Sequence, residues 1–328
     1  MNEKSKFLKN REELSRHSTK SFFKLSRDRK DLAAHKTMRA LAIGVGILVP
    51  VFILVLYLRA RPILATHNIS TLLFSTTWRP SQGSFGFFPF IMGTLWVTMV
   101  AMIISVPLSL LTAIYLAEYT RPKIRAFIMP LIDLLAGIPS VVYGIWGVLT
   151  VVPFIQKVVM PYADRWLGFS PLFQSNNPTG YGVLAGGIVL AVMVFPIIIA
   201  VSEEVIRTVP MGLREASWSV GASRWQTIRR IVLRRAFPGV IAAVMLGFSR
   251  AFGETMAVLM VVGNVVQIPH SIFDAAYPLT ALIANNYGEM MSIPLYDAAL
   301  LGAALILLLV VLTFNIGSRL VLARISYS

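Results

Sequence analysis

The sequence predicts an all-α, polytopic membrane protein of about six transmembrane helices, and three observations carry that prediction. Charged residues make up 14% of the 328 and apolar ones 56%, whereas soluble domains carry about 25% charged residues. The apolar residues gather into runs, and a helix rising 1.5 Å per residue needs roughly 20 of them to cross hydrocarbon. The 30 Lys and Arg are divided very unequally among the segments that join those runs.

In chain order the expected spans are Met38–Leu58, Phe88–Ala117, Phe127–Val152, Tyr181–Val201, Gly239–Val266 and Tyr296–Leu320. Met38–Leu58 follows a tail of almost forty residues and has no small-x-small cleavage site after it, so it reads as a retained span rather than a signal peptide. Pro107 interrupts the second span, which could be a longer, broken element. In "DLLAGIPSVVYGIWG" (133–147) Asp133 lies within the apolar stretch of the third span, and Gly137 with Pro139 weakens the helix. Two readings stay open there: a packing kink in which Gly137, Gly144 and Gly147 admit neighbouring helices, or irregular backbone lining a cavity.

The connecting segments differ in character. Residues 1–37 form a polar, basic tail, read either as unstructured or as one helix on the membrane surface. Arg59–Phe87 carries Trp78, Phe85 and Phe87, residues suited to an interface, and Pro153–Gly180 contains the turn-rich "SNNPTG". Gly263–Pro294 has neither Lys nor Arg and is too short and polar to span. It reads as a re-entrant or interfacial piece, or as a cap that meets another protein. The domain reading is a tail (1–37), a transmembrane domain (38–320) with a cytoplasmic loop (203–238), and a short end (321–328).

The net charge of +15 invites a nucleic-acid reading, but its distribution argues against one. With the N-terminus inside, the inner segments hold twelve, three, seven and two Lys or Arg. The outer segments hold five, and Arg250 lies within a span. That asymmetry is the positive-inside pattern and predicts cytoplasmic termini. The bilayer is the expected surface partner, and nucleic acid is not; contact of the tail with anionic lipid fits the same composition. There is no cysteine, and the four histidines are scattered, so neither a disulfide framework nor a metal-ligand spacing arises.

The loop "EEVIRTVPMGLREASWSVGASRWQTIRRIVLRRAFPG" (203–239) is long without being of low complexity. It reads as one helical piece over Leu213–Val220 and a second that starts at the N-cap Ser223 and runs toward Phe237. Gly221 between them can take positive φ, and Pro238 closes the segment. Such an elbow suits docking in a partner's groove; an Arg-rich segment lying on headgroups is the plainer alternative.

The stretch "SRAFGETMAVLMVVGN" (249–264) sets Arg250 and Glu254 into an apolar run. Four residues apart on a helix they share a face and can pair. At a helix centre each costs about 2.5–3.5 kcal/mol on insertion scales. Charges persist there when they face a water-filled path, a partner, or an ion pair that orients the helix.

The loop resembles the cytoplasmic EAA loop of binding-protein-dependent ABC importers. Glu215 and Ala216 match its opening, Ser217 replaces the second Ala, and Gly221, Ile231 and Leu233 fall at the expected spacing; Arg234 stands where Pro is usual. "LGFSRAFGETMAVLMVVGN" and "IPSVVYGIWG" resemble phosphate ABC importer permeases, more of the PstC than the PstA type. The resemblance covers about residues 85–320.

It implies a type I ABC importer permease fold in the inner membrane. It also implies two ATP-binding subunits seated on Glu215, Ala216, Ser217, Gly221, Ala222 and Arg224, a second permease of PstA type, and an external phosphate-binding protein. Arg250 and Glu254 are the residues it links to phosphate passage, with Asp133 a third candidate for the path. No cofactor is implied. No G-x-x-x-x-G-K-[ST] occurs, so ATP must be hydrolysed by a separate chain and this one is not itself an enzyme. Permeases for phosphonate, sulfate or molybdate remain the nearest alternative. A self-contained ion-coupled transporter would leave the EAA-like loop without a role.

Overall fold

The computed structural model describes the backbone of residues 3–174, 177–289 and 293–326. Ser175 and Asn176, which open the "SNNPTG" patch, and residues 290–292 of the last connecting segment lie outside them. The chain divides into two compact units, Met1–Val55 and Leu56–Ser328.

The helices in order are α1 (Glu3–Thr66), α2 (Ile69–Phe74), α3 (Phe88–Ile114), α4 (Pro122–Gly137), α5 (Ser140–Trp146), α6 (Val152–Phe154), α7 (Met160–Leu167), α8 (Val183–Thr208), α9 (Met211–Ser219), α10 (Arg224–Thr227), α11 (Leu233–Gly253), α12 (Met256–Val261), α13 (Leu279–Asn286) and α14 (Tyr296–Ser326). A two-residue hairpin pairs Trp78–Arg79 with Ser84–Phe85 between α2 and α3. Wide π-helical turns follow α3, α5, α6 and α10. Residues 3–37 belong to one helix with the first span rather than to an unstructured tail.

Among the described residues six helical stretches are long and apolar enough to span: Ala34–Thr66, Phe88–Tyr119, Ser140–Trp166, Val183–Thr208, Arg224–Gly253 and Tyr296–Gly317. All six match the expected spans in order, and two of them, the third and the fifth, are shifted by more than ten residues at both ends. The third span starts at Ser140 because Ile138, held extended (φ −67°, ψ 130°) ahead of Pro139, ends α4. Asp133 therefore lies on the separate helix α4, not within the third span. The fifth span starts at Arg224 and stops at Gly253, so Pro238 lies inside a continuing helix instead of closing the loop.

Within the second unit α8 is central. Its span is 67% buried, against 28–39% for spans two, three, five and six. Small residues make this possible. A Cβ at Gly187 would come within 2.4 Å of Val100, one at Gly239 within 2.3 Å of Val205, and one at Gly247 within 2.6 Å of Ile198. Gly144 and Gly147 are close-approach positions of the same kind, against Met260 and against Val189 with Val261. Gly137 is not, having open space around it.

The segment after α12 folds back into the bundle. The Leu279 N–H donates to Thr94 Oγ1 (2.9 Å) and the Thr280 hydroxyl to the Glu254 carbonyl (3.0 Å), with Leu279 to Leu282 buried.

Candidate functional site

The first candidate site is the elbow. Gly221 has φ +82° and nothing within 4 Å of an added Cβ, so the glycine is required by backbone conformation alone. Ser223 caps α10 with a full capping box: its Oγ accepts the Gln226 N–H, and the Gln226 side chain accepts the Ser223 N–H (2.9 Å). Glu215, Ala216 and Arg224 are exposed and Ala222 is half-exposed. Ser217 is buried, its hydroxyl 2.9 Å from that of Thr227, which ties α9 to α10 across the elbow. An alanine in its place could not make this bond.

Arg214 is the anchor of the elbow, and sequence reasoning missed it. The Arg214 guanidinium donates to both Glu118 carboxylate oxygens (2.5–3.4 Å) and to the Ile206 and Val209 carbonyls where α8 ends. Both side chains are nearly buried, 10% and 7% exposed. Arg224 donates to the Glu118 carbonyl and lies 4.7 Å over the Tyr119 ring. Glu118 and Tyr119 sit in the π-helical turn after α3. A second tie joins the start of α4 to α8, where Arg125 meets the buried Glu203 at 2.5 Å. The available signal was spacing: Arg214 and Ser217 stand three apart on one helix face, which makes a polar face turned inward.

The second candidate site lies at the end of α11. Arg250 is in the last turn and Glu254 is the first residue past it, with extended backbone (φ −72°, ψ 130°). They do not pair as helical i,i+4 neighbours. The Glu254 carboxylate instead accepts the N–H groups of Thr255 (3.1 Å) and Ala257 (3.4 Å), opening α12. A carboxylate that accepts the first amides of α12 favours a new helix start at this point, and exposed Gly253 beside it disfavours continuation of α11. Arg250 is exposed, and its guanidinium makes no ion pair or hydrogen bond among the described residues. Asp133, exposed on α4, likewise pairs with nothing among them, so the structure does not join it to Arg250.

Residues 105–327 match the model of the binding-protein-dependent transport system inner membrane component family. The chain belongs to that family.

Its relatives include the "phosphate transport system permease protein PstC" of Pasteurella multocida, 36% identical over 90% of this chain and 92% of that one. The protein of that name from Xylella fastidiosa (strain Temecula1) is 38% identical over 77% of this chain and 78% of that one. The "probable ABC transporter permease protein YqgH" of Bacillus subtilis is 39% identical over 77% of each chain. Among solved structures, a bacterial ABC transporter "involved in the import of the acidic polysaccharide alginate" superimposes with TM-score 0.52. It covers 91% of this chain and 99% of that one at 17% identity. A chain of the inward-facing MetNI methionine ABC transporter gives 0.50 at 21% identity, over 71% and 93%. These last two establish the fold alone. Family and fold together agree with a multi-pass helical body around α8.

Proposed function

We propose that this chain is one permease subunit of an ATP-driven importer that moves inorganic phosphate across the cytoplasmic membrane. The observation that carries the proposal is identity of 36–38% with proteins named phosphate transport permeases, over three quarters of the chain or more. The geometry of the second site supports it. An oxyanion leaving water needs a positive, hydrogen-bonding surface, and the Arg250 fork matches two phosphate oxygens at once. Left unpaired and exposed in the single subunit, Arg250 is available to the pathway. Glu254 shapes the helix break beside it and keeps its own charge on backbone amides.

In this reading both termini are cytoplasmic. A related permease completes the pathway, two ATP-binding subunits receive the α9–α10 elbows, and an external binding protein delivers phosphate. Glu215, Ala216, Gly221, Ala222 and Arg224 present the docking surface, and Ser217 holds it together from beneath. ATP hydrolysis belongs to the partner subunits, and this chain supplies no cofactor chemistry. Residues 38–320 form the permease domain, flanked by the basic segment 1–37 and the end 321–328.

The test is uptake of radiolabelled phosphate in a strain lacking the gene. The intact chain is expected to restore uptake, and Arg250→Ala to lower it at least tenfold while the protein still reaches the membrane. Restoration of sulfate, molybdate or phosphonate uptake in place of phosphate would reassign the substrate. Equal uptake with Arg250→Ala would remove Arg250 from the pathway.

A further inference from the structure

Between the end of α1, α2 and α14 lies a cavity of about 550 Å³. Its walls are apolar side chains, and α1 contributes Tyr57, Ala60, Ile63 and Leu64. The α1 and α14 walls fall within two candidate membrane spans, so hydrocarbon is what adjoins the opening. At roughly 30 Å³ per water-sized group, the space admits a chain on the order of fifteen to twenty methylenes. It would hold little more than one turn of a partner helix, which is about 10 Å wide with a 5.4 Å pitch.

A second observation concerns charge. At about 100° per residue, the four α1 wall residues cover an arc of about 120°. Arg59 and Arg61 fall about 40° outside its two edges, one on each side. Both are exposed, and neither makes an ion pair or hydrogen bond among the described residues. Two unpaired guanidinium groups in the last two turns of a membrane helix are costly unless they reach the headgroup layer or meet an anion there.

We propose that this cavity binds an anionic phospholipid, one hydrocarbon tail lying between α1 and α14 and the phosphate engaged by Arg59 and Arg61. An empty apolar cavity forfeits dispersion contacts with its walls, and a tail restores them. The two arginines match phosphate oxygens in the way that makes arginine suited to such groups. The site is separate from the elbow and from Arg250.

The test uses the full chain in nanodiscs of equimolar phosphatidylglycerol and phosphatidylcholine, released into native mass spectrometry. One retained phospholipid per chain is expected, with phosphatidylglycerol enriched at least threefold over the bilayer ratio. Gly302→Phe should abolish retention. An added Cβ there meets Ile63, Ala60 and Phe87 at ordinary contact distances of 3.8–3.9 Å, so the backbone admits the change while the ring fills the cavity. Thr313→Trp closes the cavity from its exposed side and decides the matter if Gly302→Phe fails to insert. The Arg59→Gln, Arg61→Gln double variant should keep a bound lipid but lose the enrichment. Absence of retained lipid, equal retention after the cavity is filled, or unchanged enrichment in the double variant would each overturn the proposal.

Discussion

Gly221 and Gly212 separate two things a glycine can do. Both have open space around an added Cβ, but only Gly221 has positive φ, whereas Gly212 lies inside α9. Replacing Gly212 by alanine should stabilise the chain by about 0.5–1 kcal/mol, since alanine loses less backbone entropy in a helix. Gly221→Ala should destabilise by about 1–2 kcal/mol, the cost of a left-handed L-residue. Opposite shifts in melting temperature in detergent check the pair, and shifts of the same sign would mean the elbow does not hold that conformation. Arg214 is a different case, because it and Glu118, both nearly buried, form one unit. Arg214→Ala leaves the nearly buried Glu118 carboxylate and the Val209 carbonyl without their Arg214 donor, an expected loss of about 3–5 kcal/mol on the same melting assay. A loss under 1 kcal/mol would show that water reaches Glu118.

At the scale of the element, the break between α11 and α12 has a stated cause, the Glu254 carboxylate on the amides of Thr255 and Ala257. Glu254→Gln keeps an acceptor oxygen and should leave the melting temperature unchanged, while Glu254→Ala removes it and should cost about 1 kcal/mol, as lost caps do. If Gln is as damaging to stability as Ala, the negative charge itself holds the break. The same element shows where sequence reading stops. A 3.6-residue period with Arg and Glu four apart reads as a shared helix face, and nothing in the apolar pattern marks the end of the helix at Gly253. A new helix start decided it: a carboxylate on the first amides of α12, next to a glycine. The third span misled in a similar way. Hydropathy runs smoothly from Phe127 to Val152, but Pro139 forces Ile138 out of the helical region and moves Asp133 onto α4. Gly221 and the Ser223 cap were legible because turn chemistry is local. The Glu118–Arg214 tie was not, because its partners are separated by 96 residues and meet only through packing.

For the molecule as a whole, the unequal placement of Lys and Arg makes the strongest demand, since it assigns every connecting segment to one face of the bilayer. The absence of cysteine from the sequence gives direct access to that assignment, because a single introduced cysteine is the only thiol present. Ser81, exposed in the hairpin connection, belongs to the outer set; Ser219, exposed at the end of α9, belongs to the inner set. Each can be replaced by cysteine without burying the new side chain. In right-side-out vesicles a membrane-impermeant maleimide is expected to label Ser81→Cys at once and Ser219→Cys only after the membrane is opened. The reverse pattern would turn the elbow outward, away from any source of ATP, and the coupling role of α9 and α10 would fall with it. Labelling of both from outside would mean that the chain between them crosses the membrane an even number of times. Spans two to four, which lie between these positions, predict an odd number. Because three spans separate the two serines, one experiment tests the odd parity of the crossings and their direction together.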